Sequence, residues 1–189
     1  MEHATAINMQ LEGIEHSVDS IYYYAIDRLE DNASQLNDAS FRTEYIDKIR
    51  ELSLSEARNT ESVKVVYFRL TTDIKEPPYG FIYQANERTG VLSEGELTDI
   101  SLYDPSDVEH VGWYYLPMQA GKAIWMDPYQ NKNLGIKMIS YVAPIFVGGR
   151  FIGIVGMDVD IDMLNKELAQ IKTYDTGSAV LFDGNDNIV

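Results

Sequence analysis

The stretch KMISYVAPIFVGGRFIGIVGMDV, residues 137–159, decides the fold. Two apolar, β-branched runs, Lys137 to Val147 and Arg150 to Val159, flank Gly148-Gly149. Such runs around a glycine pair read as two antiparallel strands joined by a tight turn, because glycine supplies the positive φ that turn needs. Gly153 and Gly156 lie inside the second strand, where a glycine marks close approach of another group to the backbone.

Outward from this hairpin the period-two pattern recurs. Val63, Val65, Tyr67 and Arg69 alternate with Lys64, Val66, Phe68 and Leu70. Both faces are largely apolar, so this is a central strand. After the Pro77-Pro78 loop, Tyr79 to Ala85 is a further strand, and residues 91–106 are a polar loop with short extended pieces. Asp104-Pro105-Ser106-Asp107 opens a short helix over 107–119 that Gly121 stops. Ala123 to Met126 is a short strand, and residues 130–135 are a polar loop. Asp160-Ile161-Asp162 caps a helix reaching about Lys172, and Gly177 to Phe182 is a last strand followed by a turn over 183–187.

Two helices precede the strands. The first 36 residues read as one long helix, with Ile7, Leu11, Ile14, Val18, Ile21, Ala25 and Leu29 in a heptad-like stripe. That stripe suits packing on its own domain and equally a stalk and dimer helix. A break at Asn37-Asp38-Ala39-Ser40 leads to a second helix, about Ser40 to Arg58, with Tyr45, Ile49, Leu52 and Leu54 inward. This order predicts an α+β fold: a long N-terminal helix plus a roughly five-stranded antiparallel sheet flanked by helices, one face left for a pocket.

Composition excludes several functions. Among 189 residues, 15 Lys and Arg face 30 Asp and Glu, a formal net charge of −15. A basic surface for nucleic acid or anionic lipid is therefore not expected. Cysteine is absent, which removes thiol catalysis, cysteine-held metals and disulfides. No run of about 18 apolar residues is present, and the N-terminus lacks the features of a signal peptide. The chain ends on what reads as a fresh strand, so we expect a piece of a longer protein.

Catalytic patterns are equally scarce. No Gly-x-Ser-x-Gly elbow and no glycine-rich phosphate loop occurs. His3, His16 and His110 form no triad and no metal spacing. Asp158, Asp160 and Asp162 cross from a strand into a helix, and Asp183-x-Asn185-x-Asn187 begins like a calcium loop but has Ile188 where glycine is required. Asp127 with Asp158 would be a carboxylate pair of the kind hydrolases use, yet pairs are common by chance among so many acids. We expect no enzyme activity, no cofactor and no metal.

What stands out is an aromatic and acidic constellation. Trp113 and Tyr114 share the short helix, Trp125 and Tyr129 flank Asp127-Pro128, and Asp158 closes an apolar strand; Tyr67, Tyr141 and His110 are further candidates. A buried carboxylate needs a partner. An ammonium ligand would provide it, and aromatic faces would add roughly 0.5–2 kcal/mol of cation–π attraction. Equally, these rings are core and Asp158 caps the following helix.

At these residues the chain resembles the double-Cache type of the Cache family, PAS-like extracellular sensor domains of bacterial transmembrane receptors. The resemblance rests on the long N-terminal helix, on Val111-Gly112-Trp113-Tyr114, on Trp125-Met126-Asp127-Pro128-Tyr129, on the run from Ile139 to Ile145, and on the run from Gly153 to Asp160. It implies that residues 1–58 are the stalk helix and second helix, 59–172 the membrane-distal ligand-binding module, and 173–189 the start of a membrane-proximal module. It implies an extracellular or periplasmic sensor of a chemoreceptor, histidine kinase or diguanylate cyclase, dimeric through the N-terminal helix in the full receptor, whose flanking membrane helices lie outside this chain. By the same resemblance Trp113, Tyr114, Tyr129 and Asp158 form the pocket, with Asp158 on the ligand ammonium. Amino-acid binders of the family place an arginine two residues before the tryptophan to hold the carboxylate; here that position is Val111. An amine without a carboxylate, or another small ligand held by aromatics, fits the motif as it stands, and the ligand the resemblance implies is a small amine or amino-acid-like compound. The competing expectation is a structural or dimerisation module with no ligand.

Overall fold

A computed structural model describes residues 2–29 and 32–170. Helix α1 (Glu2–Asp27) is followed by a 3-10 turn (Ala33–Asn37) and helix α2 (Ala39–Asn59). The expected helix to residue 36 thus ends earlier, at Asp27. The Asp38 carboxylate caps α2 by accepting a hydrogen bond from the Phe41 N–H at 2.8 Å.

Strands β1 (Val63–Leu70), β2 (Gly80–Ala85) and β3 (Leu92–Glu94) come next, then helix α3 (Val108–Ala120). Asp107 caps α3, and Gly121 at φ 66° ends it in the left-handed conformation. Strands β4 (Ile124–Trp125), β5 (Tyr129–Asn131), β6 (Ile136–Val147) and β7 (Arg150–Asp160) follow, with α4 (Ile161–Gln170) last. Gly148 and Gly149 both have positive φ, 57° and 77°, and join β6 to β7 as the sequence requires. The final strand and turn expected over 177–187, and the proximal module over 173–189, lie outside the described residues.

All strands join one antiparallel sheet in the order β3-β2-β1-β7-β6-β4, with β5 also on β6. The α+β class stands. Seven strands replace five because β3 and β5, of three residues each, are too short to show a period in sequence; the short strand expected over 123–126 is β4. As its two apolar faces demanded, β1 is central, paired with β2 and β7.

Alternation along the strands builds two cores. Val66, Phe68 and Leu70 of β1 and Val155, Met157 and Val159 of β7 share one cluster with Ile14, Val18, Ile21 and Ala25 of α1 and Tyr45, Ile46 and Ile49 of α2. The stripe on α1 therefore packs on its own domain. Val65 and Tyr67, Val142 of β6 and Ile154 of β7 form the other cluster, with Val111, Trp113 and Tyr114 of α3. The sheet is buried on both sides, by α1 and α2 on one and by α3 with its loops on the other. Among the described residues no helix is long and apolar enough to cross a membrane.

Candidate functional site

The face that α3 covers carries a cavity. Tyr67 and Arg69 of β1, Ile82 of β2, Trp113 of α3 and Asp158 of β7 line it, closed over by Leu97, Thr98 and the loop bearing Asn131, Asn133 and Leu134. It is narrow, with about 360 Å³ of empty space including its mouth. Concave sites of this kind, apolar with a few convergent polar groups, are where small ligands bind.

Asp158 forms the polar floor and is only 2 % exposed. The Tyr67 hydroxyl donates to its Oδ1 at 3.0 Å. Ser140 sits opposite it on β6, and the Tyr129 and Ser140 hydroxyls are hydrogen-bonded at 3.1 Å. Burial penalises the ionised carboxylate, while the Ser140 and Tyr67 hydroxyls favour it. Burial prevails, and the pKa is pushed up to about 7. Burial and the nearby Asp158 charge likewise raise the Tyr67 and Tyr129 phenols, which remain neutral. No ion pair to Asp158 forms among the described residues. Nor is any group of three or more His, Cys, Asp or Glu among them placed to hold a metal ion.

Trp113 forms the wall above. Its ring meets Tyr67 edge to face at 5.3 Å, and its Nε1 donates to the His110 carbonyl at 2.8 Å. Asn133 Nδ2 donates to that same carbonyl at 2.7 Å, pinning the covering loop to α3. Asn131, itself buried, accepts hydrogen bonds from the Asn133 and Leu134 N–H groups and so folds the loop inward.

At another part of the lining stands Arg69, 8 % exposed. Its guanidinium lies over the Tyr79 ring at 4.7 Å from the centroid. Its Nε and Nη1 are buried without a hydrogen-bond partner. Burial holds its pKa below the ordinary arginine value.

Of the residues singled out from sequence, Trp113, Asp158 and Tyr67 meet at the cavity, and Tyr129 stands behind Asp158 through Ser140. The possibility that Asp158 caps α4 is excluded. Asp158 lies within β7, and it is the Asp160 carboxylate that accepts from the Asp162 N–H, at 2.8 Å. Tyr114 packs on Trp113, but its hydroxyl accepts from the Thr72 N–H at 3.2 Å and props a loop instead of facing the cavity.

Others lie elsewhere. Trp125 and Tyr141 are packed together against the core on the opposite face, their rings 5.2 Å apart, and Trp125 Nε1 donates to Glu15 of α1 at 2.6 Å. Tyr141 follows Ser140, so alternation turns it away. Asp127 is exposed. The His110 ring is stacked on Tyr103 at 4.3 Å and bonded to Asp107 at 2.9 Å, so only its carbonyl serves the site. The residues missed from sequence are Arg69, Asn131 and Asn133. Only Arg69 left a signal there, as a charge in phase with Tyr67 on a central strand.

A family model described as the methyl-accepting chemotaxis protein-like, first PDC sensor domain matches residues 51–166. The methyl-accepting chemotaxis protein TlpQ of Pseudomonas aeruginosa is 28% identical over 109 residues, which is 54% of this chain and 14% of that protein. The chain thus matches about a seventh of its curated relative. The sensory domain of the Campylobacter jejuni chemoreceptor Tlp3 superposes with a TM-score of 0.59 at 16% identity, covering 100% of this chain and 68% of that one. The ligand-binding domain of the P. aeruginosa amino acid chemoreceptor PctC, solved with GABA, gives 0.56 at 19% identity, covering 98% and 68%. At these identities the structural likeness is one of fold.

Proposed function

Because the chain belongs to the methyl-accepting chemotaxis protein-like, first PDC sensor domain family, we propose that its cavity binds a small amine-bearing molecule outside the cell and reports it across the membrane. The Cache resemblance read from sequence and this family describe the same class of sensor. The chain would stand on the extracellular or periplasmic side, as part of a membrane-anchored receptor.

The observation that carries the reading is Asp158, a carboxylate buried in the cavity with hydroxyl partners and no cation among the described residues. A ligand ammonium would complete its pairing, with the faces of Trp113 and Tyr67 alongside. The pocket acts by binding, not by chemistry on the ligand. Amino-acid ligands in the solved relatives agree with an amine as the recognised group.

Signal would leave through the sheet. Met157 and Val159 flank Asp158 and face the core that α1 shares. A ligand that draws Asp158 and Trp113 together favours one seating of α1 over another, provided its affinity differs between the two. The outer side of α1 exposes Met9 and Tyr23, 65% and 66% open and two heptads apart, which supports a second copy packing along that helix in the receptor.

Thermal shift with amines, amino acids and small carboxylates, on this chain beside Asp158→Asn, tests the reading. A ligand at a hundred times its dissociation constant stabilises by about 2.7 kcal/mol. An amine that raises the melting temperature of the parent alone is the expected result. Equal shifts in both proteins would refute the ammonium site.

A further inference from the structure

Arg69 stacks on Tyr79, but that contact leaves its Nε and Nη1 donors unused. It is nine-tenths buried, yet two of its guanidinium nitrogens have no acceptor. A buried donor left unpaired is costly, and more so when it is charged. The carboxylate that acts on it most, Asp99, is itself exposed and engaged by the Ser101 N–H and hydroxyl at 3.0 and 2.6 Å. Tyr79 covers one face of the guanidinium, which leaves its edge for an acceptor. Arg69 and Asp158 line the same cavity.

We propose that Arg69 is an anion-binding end of this cavity, so that its ligand carries an amine at one end of a chain and an acid group at the other. The proposal rests on the amine reading of Asp158 given above. The sheet register sets the spacing. Asp158 pairs with Val65 of β1, and Arg69 is four residues further along that strand, about 13 Å at the usual rise. Tyr67 stands between them on the same face. An α-amino acid holds its ammonium and carboxylate on one carbon and meets only one of the two groups well. An ω-amino acid meets both. The carboxylate grip absent at Val111 on α3 is then supplied from β1, and the ligand geometry changes with it.

Titration calorimetry on this 189-residue chain tests this with matched probes: 5-aminopentanoate, butylamine as the same chain without the acid, and 2-aminopentanoate as its α-isomer. The expected order is 5-aminopentanoate tighter than either by about tenfold or more, the range of a charge-assisted hydrogen bond. In Arg69→Gln the advantage of 5-aminopentanoate over butylamine disappears. The comparison in the parent needs no variant, so misfolding of Arg69→Gln cannot obscure it. Equal binding of 5-aminopentanoate and butylamine by the parent overturns this proposal and leaves the amine site standing. A tighter α-isomer overturns it as well. Failure of all three to bind, or unchanged butylamine affinity in Asp158→Asn, overturns the amine reading and this proposal with it.

Discussion

Tyr67 reaches Asp158 across Gly156: a Cβ at position 156 would sit 2.6 Å from the Tyr67 hydroxyl oxygen and 2.7 Å from its Cζ. The glycine in an otherwise apolar strand is there to let a neighbouring ring lie flat on the backbone. Gly156→Ala should therefore lift Tyr67 from the carboxylate. We expect a loss of about 1–3 kcal/mol in unfolding free energy, as for other overpacked interiors, together with weaker amine binding. Denaturant melts and calorimetry measure both, and a variant with parental affinity would mean that Tyr67 does not orient Asp158.

Asp158 makes stability depend on pH in a direction unusual for an acid. Its folded pKa, about 7, lies above the ordinary aspartate value of 3.8. The folded state therefore holds a proton that the unfolded chain releases, so stability falls as pH rises from about 4 to 7 and levels off above. The full span corresponds to roughly 4 kcal/mol at most. Asp158→Asn should flatten that slope in urea titrations at pH 4 to 8; a slope that persists would assign it to another group.

Ligand affinity should run the opposite way. An ammonium pairs with the ionised carboxylate, so affinity drops about tenfold per pH unit below the pKa and is level above it. Binding near pH 6 should release a proton, visible as a dependence of the calorimetric heat on buffer ionisation enthalpy. Affinity that is constant from pH 5 to 8 would remove Asp158 from the contact.

Trp113 and Tyr114 are neighbours with separable roles. Trp113→Phe weakens a cation–π wall and should reduce amine affinity several-fold, within the roughly 0.5–2 kcal/mol such contacts supply. Tyr114→Phe removes the hydroxyl that accepts from Thr72 and should cost about 1 kcal/mol of stability with affinity unchanged. The reverse pattern would place Tyr114 against the ligand.

Trp125 offers the matching control on the other face. Trp125→Phe breaks the bond to Glu15 and should lower the melting temperature while leaving ligand affinity alone. A large fall in affinity would mean that α1 and the cavity are coupled more tightly than packing alone implies.

The strands that matter most were legible from the chain because their period survives burial on both faces. The Gly148-Gly149 turn and the alternation around Tyr67 fixed β1, β6 and β7 to within a residue or so. Helix α1 ends at Asp27, short of the expected residue 36, because the apolar stripe runs on to Leu29 and carries the helical period past the true end. The site was half visible. Asp158 and Trp113 stand in motifs, whereas Trp125 and Tyr141 share those motifs and point away, a distinction that only register decides. Arg69 was the reverse case: no motif contains it, but its phase with Tyr67 puts it on the cavity side. Asn131 and Asn133 act through a loop fold that has no periodicity to read.

Asp158 and its neighbours Met157 and Val159 look to opposite sides of one strand, toward the cavity and toward the core shared with α1. Reciprocity follows from that arrangement. Any factor by which a ligand biases the seating of α1 is the factor by which a fixed seating of α1 must change the ligand's dissociation constant. An affinity measured on this chain would then depend on how α1 is held. Because the chain contains no cysteine, a single engineered cysteine pair clamping α1 can be oxidised without ambiguity. The dissociation constants of the clamped and free forms would give the coupling between cavity and helix as a number.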